Sequence, residues 1–333
     1  MFDDLDPKEF EETAAAVIES CAEAADIADR ATLLAEAGLL GVTAPEAVGG
    51  LGLPIRFAVP IASAAGAGLL AFPVIEALLL TRALAKTAPE MATAIGAGEV
   101  VATIAWSGTA EDGVVGAAPL AAEADRILVF RADGGAVLIA AKAATVVDAA
   151  PSLDLEAPDA TIRLAGAPDG IALDAATVHA LREEAKLLRT AFVMGSAARC
   201  LTLAADYAQE RSQFGKPLSA NQVLRHRLSR DALAIETMRS ALHRALAEPA
   251  EGPEMARDAA WLTAAQDGPV VAESAIQLFG GMGFTWEVPL HRHLRQIRTQ
   301  TVHGAAADAL DDLGAALLSG TNNTWYGEIA NAV

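Results

Sequence analysis

Apolar residues recur at three- and four-residue intervals through "DPKEFEETAAAVIESCAEAADIADRATLLAEAGLL" (6–40) and again through "VIEALLLTRALAKTAPEMATAIG" (74–96). That period is the signature of amphipathic helix, so residues 1–97 are predicted to form an N-terminal helical domain. Between the two runs, "AEAGLLGVTAPEAVGGLGLP" (35–54) gathers glycine and proline, which predicts a loop of tight turns. From 98 to 172 the pattern shortens. "VVATIAW", "RILVF" and "AVLIAA" are brief runs of β-branched, aromatic and other apolar residues, and Asp133-Gly134 supplies a hairpin turn inside "FRADGGAVLIA". This stretch reads as a small β domain.

After residue 173 long helical periods return. "REEAKLLRTAFVMGSAARCLTLAADYAQERSQFG" runs until Gly215 and Pro217 stop it. "NQVLRHRLSRDALAIETMRSALHRALAE" places Leu224, Leu228, Ile235, Leu242 and Leu246 on one face, and "ARDAAWLTAAQDGPVVAESAIQLFGG" supplies a further helix. Long helices with short connections pack as a bundle. The fold class is therefore mainly α with a small, trimmed β domain: helical (1–97), β (98–172), then a C-terminal four-helix bundle (173–333). Near the end, "IRTQTVHGAAAD" (297–308) reads as a polar loop around His303.

Composition narrows the function. The chain has 333 residues, 53% hydrophobic and 20% charged, enough for a large core and little disorder. A net charge of −19 argues against nucleic acid, whose phosphates must be met by Lys and Arg. Yet 15 of the 24 Lys and Arg lie after residue 180, as helix faces in solvent or as a surface meeting phosphates of a small ligand. Cys21 and Cys200 sit in alanine-rich helices with no metal spacing, which predicts buried thiols and a reducing, cytoplasmic setting. The acidic start "MFDDLDPKEFEE" is unlike a signal peptide. "FAVPIASAAGAGLLAFPVI" (57–75) is uncharged and about long enough to span a membrane. Its two prolines and small residues favour buried core helices, so no membrane partner is expected.

Two stretches carry candidate chemistry. In "YAQERSQFGKPLSANQ" (207–222), Arg211 closes a helix and Phe214 follows, an arginine fork beside a flat aromatic face. Asn221 or Ser219 is expected to cap the next helix, with Gln222 in its first turn. In "QLFGGMGFTWEVPLHRHLRQIR" (277–298), Gly280, Gly281 and Gly283 end a helix and permit close backbone approach. The spacing is not a dinucleotide-binding fingerprint, because Trp286 stands where the last glycine should be.

Taken together, in order and separation, these stretches resemble the acyl-CoA dehydrogenase family: Tyr-Ala-x-x-Arg-x-Gln-Phe-Gly followed some sixty residues later by Gln-Leu-x-Gly-Gly-x-Gly-(Phe/Tyr)-x-x-Glu. "LAEAGLLGVTAPEAVGGLGLP" is similar to that family's N-terminal glycine-rich stretch, so the resemblance spans nearly the whole chain. It implies a helical, β, helical fold, usually in tetramers, with FAD at a subunit interface and an acyl-CoA thioester as substrate. Arg211, Phe214, Gln277, Gly280 and Gly281 would then contact the pyrophosphate and adenosine part of an FAD held mainly by a neighbouring subunit. Gln222 stands beside them as a further candidate cofactor contact. An electron-transfer flavoprotein or similar acceptor would reoxidise the flavin.

The chain departs from that pattern at the base. Where the family carries Tyr-Glu-Gly-Thr, this chain has Val302, His303, Gly304 and Ala305. At the alternative seat, twenty-two residues before Tyr207, stands Ala185, with Glu184 rotated about 100° away. Stretches that wrap the flavin ring are missing, though Trp106 and Ser107 sit near the first. A base-less chain of this kind resembles the smaller subunit of heteromeric, steroid side-chain acyl-CoA dehydrogenases, whose full-length partner supplies the glutamate. Two alternatives stay open: a self-sufficient homo-oligomer using His303 or Glu184, and a flavin-free structural or regulatory protein on the same fold.

Overall fold

The computed structural model describes residues 6–147, 152–166, 168–213, 215–247 and 253–319. Helices α1 (Glu9–Cys21), α2 (Ile27–Glu36), α3 (Val59–Ala67), α4 (Val74–Leu84) and α5 (Pro89–Gly96) come first. The long periodic run at 6–40 breaks at Ala22–Asp26, because the Asp26 side chain accepts from the Ala28 and Asp29 N–H groups (2.9 Å each) and starts a new helix. The uncharged stretch 57–75 lies in the core: Phe57, Ala58, Ile61, Ala62 and Ala65 have no exposed surface. Both cysteines are buried, and burial pushes the Cys200 thiol up to about 12.

Seven strands form two small sheets. Strands β1 (Ala102–Ala105), β3 (Arg126–Phe130), β4 (Ala136–Ala140) and β7 (Ile171–Leu173) make one, in that order, with β1 parallel to β3 and the other pairs antiparallel. Strands β2 (Val114–Pro119), β6 (Asp159–Leu164) and β5 (Ala144–Val147) make the other. The β3–β4 hairpin turns at Asp133-Gly134, where Gly134 has φ +87° and the Asp133 carboxylate accepts from the Gly135 N–H at 3.0 Å. Both hairpin strands are apolar on two faces. Leu128, Phe130 and Leu138 join the N-terminal helical core, whereas Ile127, Val129, Val137 and Ile139 join the layer between the sheets.

Helix α6 (Ala175–Glu210) is the spine of the molecule. Its first half, Val178 to Phe192, packs into the N-terminal core. Val193, Ala197, Cys200, Ala204 and Ala208 pack instead with α7 (Gln222–Leu246), α8 (Pro253–Phe279) and α9 (Leu290–His303). These four helices surround the second core. Where α3 crosses α6 the backbones nearly touch, and a Cβ at Gly66 or Gly195 would stand 2.0 Å from the Phe192 or Ser63 carbonyl oxygen. Helix α10 (Ala306–Ser319) follows with no buried residue. By length and composition, α6 is the one described helix apolar enough to cross a membrane, and 72% of that apolar window is buried inside the protein.

The structure corrects one reading outright. Residues 297–303 are helix, the C-terminal half of α9, and only Gly304 and Ala305 link it to α10. A second reading fails in detail: Asn221 stands at the N-cap of α7, but its side chain makes no capping bond and donates back to the Leu218 carbonyl at 3.1 Å.

Candidate functional site

The sequence-identified residues fall into two places. The first is an exposed rim where α6 and α8 end. Tyr207 stacks on Phe279, ring centroids 4.1 Å apart and planes 15° from parallel, so the ends of the two helices are clamped side by side. Four residues beyond Tyr207, Arg211 leaves the helix with an exposed side chain, while its carbonyl accepts from the Leu218 N–H at 2.8 Å. A two-residue hairpin, β8 (Ser212–Gln213) with β9 (Lys216–Pro217), turns the chain back toward α7. Phe214 lies outside the described residues. Gln222, the first residue of α7, and Gln277, in the last turn of α8, are exposed. Gly280 ends α8 in the left-handed region at φ +64°, and no atom lies within 4 Å of where a Cβ on Gly281 would stand. The backbone there is open to approach from outside.

Beside this rim stand large apolar side chains, of which the motif singles out only Phe284. Met282 is 43% exposed, Phe284 74% and Trp286 68%, all in the loop that follows Gly280. A cluster of this kind beside polar groups marks a contact face. The signal in the sequence is "MGFTW", an apolar run placed after a helix end rather than inside one.

The second place is closed. His303, at the end of α9, is 4% exposed, and its Nε2 faces Asp159 of β6, 2.8 Å from Oδ1 and 3.0 Å from Oδ2. Its Nδ1 is buried and unpartnered. The void it lines measures about 20 Å³ and is shared with Phe72, Glu76, Asp154, Phe192, Thr299 and Gln300. That is room for about one water molecule. Gly304, next in the chain, is held by a bond from the Trp261 Nε1–H to its carbonyl (3.0 Å), and a Cβ there would meet the Trp261 ring at 2.2 Å. The segment 152–159 is stitched to α9 at further points. Arg292 donates to Glu156 at 2.7 Å, and Arg295 donates to the Leu153 carbonyl at 3.5 Å.

Glu184 takes no part in this interior. It accepts from Arg82 at 2.8 Å and ties α6 to α4, whereas Ala185 beside it is 1% exposed. Arg189, four residues after Ala185, is buried. Its guanidinium carbon lies 3.9 Å over the Trp106 ring, and its Nε donates to Gln300 at 3.2 Å. Trp106 in turn donates to Glu76 at 2.8 Å. Burial lowers the Arg189 pKa to about 10, with Glu76 pulling the other way, so the group stays charged at neutral pH. Burial raises Asp154 to about 6. Burial likewise drives His293, bonded to Ser196 at 3.0 Å, down to about 4.

The two places differ in whether a flavin fits. On the rim, an exposed arginine, exposed amides and an unobstructed glycine backbone suit a pyrophosphate and ribose arriving on another subunit. The interior has neither the volume for a ring system nor a free path to the His303 imidazole.

The sequence profile described as "Acyl-CoA dehydrogenase, C-terminal domain" matches residues 178–313. Among curated proteins, the chain is 32% identical over 149 residues to the acyl-CoA dehydrogenase IpdE2 of Mycolicibacterium smegmatis, covering 44% of this chain and 45% of that relative. It is 29% identical over 331 residues to the acyl-CoA dehydrogenase FadE27 of Mycobacterium tuberculosis, covering 85% and 86%. Among solved structures, a chain of the ChsE4–ChsE5 complex of Mycobacterium tuberculosis superposes with a TM-score of 0.83 at 24% identity, covering 96% of this chain and 99% of that one. A chain of the Tcur3481–Tcur3483 steroid ACAD gives 0.83 at 23% identity, covering 95% and 98%. At these identities the structures establish a shared fold.

Proposed function

The chain carries an acyl-CoA dehydrogenase C-terminal domain on the acyl-CoA dehydrogenase fold, and from that premise we propose that it is the base-less subunit of a heteromeric, FAD-dependent acyl-CoA dehydrogenase. A full-length partner supplies the glutamate and most of the flavin pocket. This chain lends Arg211, Phe214, Gln222, Gln277, Gly280 and Gly281 to the outer part of that FAD. The flavin, when bound, accepts the hydride from the β carbon of the acyl thioester. The residues here would act on its grip: Arg211 would fork onto pyrophosphate oxygens, the two glutamines would offer amides to phosphate and ribose, and the glycine turn would let backbone approach closely.

One contrast carries the proposal: the Arg211, Gln222 and Gln277 side chains are exposed, whereas His303, at the seat of the base, is buried beside a void of about 20 Å³. With Nε2 against Asp159 and Nδ1 buried, the His303 imidazole presents no exposed nitrogen to a thioester α carbon, which supports a base supplied from elsewhere. Likeness to a steroid ACAD supports a bulky, steroid-type acyl group, and likeness to a chain of the ChsE4–ChsE5 complex supports a heteromeric assembly. An electron-transfer flavoprotein or similar acceptor is proposed as the oxidant.

The test is co-expression with a full-length acyl-CoA dehydrogenase. The account expects a yellow complex that oxidises an acyl-CoA, and an Arg211→Ala complex of unchanged composition that loses flavin on dilution. If Arg211→Ala retains flavin as the wild type does, the chain is instead a structural or regulatory partner.

A further inference from the structure

Three edges of a would-be active site can be located in this chain from the positions it shares with its relatives. The first is the α6 face at Ala185, one seat of the family's base. Another is the end of α9 at His303, the other seat. Trp106, near the place where the flavin ring would be wrapped, is the third. One side chain touches or neighbours all of them. Arg189 lies one helical turn beyond Ala185 and so shares its face. It donates to Gln300, which stands three residues before His303 on α9, and it stacks on the Trp106 ring at 3.9 Å.

From this convergence we infer that Arg189 is a resident stand-in for the ligand ring, the residue that shuts this chain's own pocket and leaves only the partner's open. The inference rests on the subunit reading above and extends it. A guanidinium is planar and stacks on an aromatic face as a flat ring does. Here it is 2% exposed, and Gln300, which it bonds, borders the void of about 20 Å³ beside His303. The arrangement is not the cheapest way to fill a core. Arg189 has one neutral acceptor at Gln300, its Nη2 is buried without a partner, and among the described residues no carboxylate forms an ion pair with it. A buried charge met only by the more distant Glu76 and Asp159 carboxylates costs stability relative to an apolar side chain of similar length. Trp106, meanwhile, keeps its orientation through Glu76.

The surroundings of Arg189 are aromatic: the Trp106 ring under its guanidinium packs on Phe130, with centroids 5.9 Å apart, and Phe192 lies one turn further along α6. Truncating the arginine therefore creates a cavity of the kind that takes up a small aromatic molecule. The experiment uses the isolated chain and benzene or lumichrome as probes, read by thermal shift and equilibrium dialysis. Wild type and Arg189→Met, which keeps the volume and loses the charge, are expected to ignore both probes. Arg189→Ala is expected to bind at least benzene saturably, with its Tm rising by a few degrees at high probe concentration. If Arg189→Ala does not fold, Arg189→Val takes its place. Uptake by Val with none by Met supports the inference. Probe binding by wild type, or none by any folded truncation, overturns it. A wild-type chain that binds intact FAD would instead sink the subunit reading, so the two failures are distinguishable.

Discussion

Helix α6 serves two regions, and its two halves differ in what surrounds them. Around Ala185 and Arg189 it faces a packed interior, where α9, the 152–159 segment and Trp106 close over one another. At Tyr207 and Arg211 it faces outward, beside glycine backbone that nothing described here covers. The same helix thus carries a sealed pocket at one end and an open grip at the other. Burial sorts the candidate residues more sharply than residue type does. His303 has the chemistry of a base and is buried, while Arg211 has an exposed guanidinium fork.

The comparison can be broken first at the rim. Arg211→Ala is expected to weaken FAD retention by the assembled enzyme about 10- to 100-fold, the worth of a charge-assisted hydrogen bond lost from the partner's cofactor. Flavin absorbance after gel filtration reads it. The interior should respond in another way. His303→Ala removes the contact to Asp159, so the lone chain is expected to lose on the order of 1–3 kcal/mol of stability while turnover of the complex stays unchanged. A catalytic histidine would instead cost about 10²–10⁴-fold in rate.

A pH series sharpens the interior further. Asp154 has a folded pKa raised to about 6, so its contribution is fully present below the unfolded carboxylate value and is lost as pH rises through about 6. Asp154→Asn can still accept from the Glu156 and Ala157 N–H groups. It is expected to raise Tm by a few degrees at pH 7.5 and to show little gain at pH 4. His293 runs the opposite way: its folded pKa is depressed to about 4, so its stabilisation is lost as pH falls from about 6.5 to 4. The smallest effect is expected at Glu184→Gln. That substitution breaks a partly exposed ion pair with Arg82, worth under about 1 kcal/mol, with no change in turnover.

Much of this layout is legible in the amino-acid order, for local reasons. The β3–β4 hairpin announces itself because Asp133-Gly134 fixes the turn within a few residues. Strands β2, β5, β6 and β7 do not: Gly116 and Pro119 interrupt β2, β5 and β7 run for four and three residues, charged residues break β6, and the partners of β2 and β7 lie far along the chain. Residues 297–303 read as loop because threonine, glutamine and histidine hide the helical period. The buried positions Leu290, His293, Gln296, Thr299 and His303 keep the three- and four-residue spacing nonetheless. The rim is readable because its glycines and arginine form a motif. Arg189 is not, since a charged residue in a helix reads as a solvent face until tertiary packing places it over Trp106.

The central claim is that this chain grips a flavin it does not house. Counting flavin per polypeptide tests it most directly, in the chain purified alone and in the complex with a full-length dehydrogenase. The account expects a colourless lone chain and one FAD for each pair of unlike subunits. A lone chain carrying one FAD of its own, or a complex with one FAD on every subunit, would contradict it.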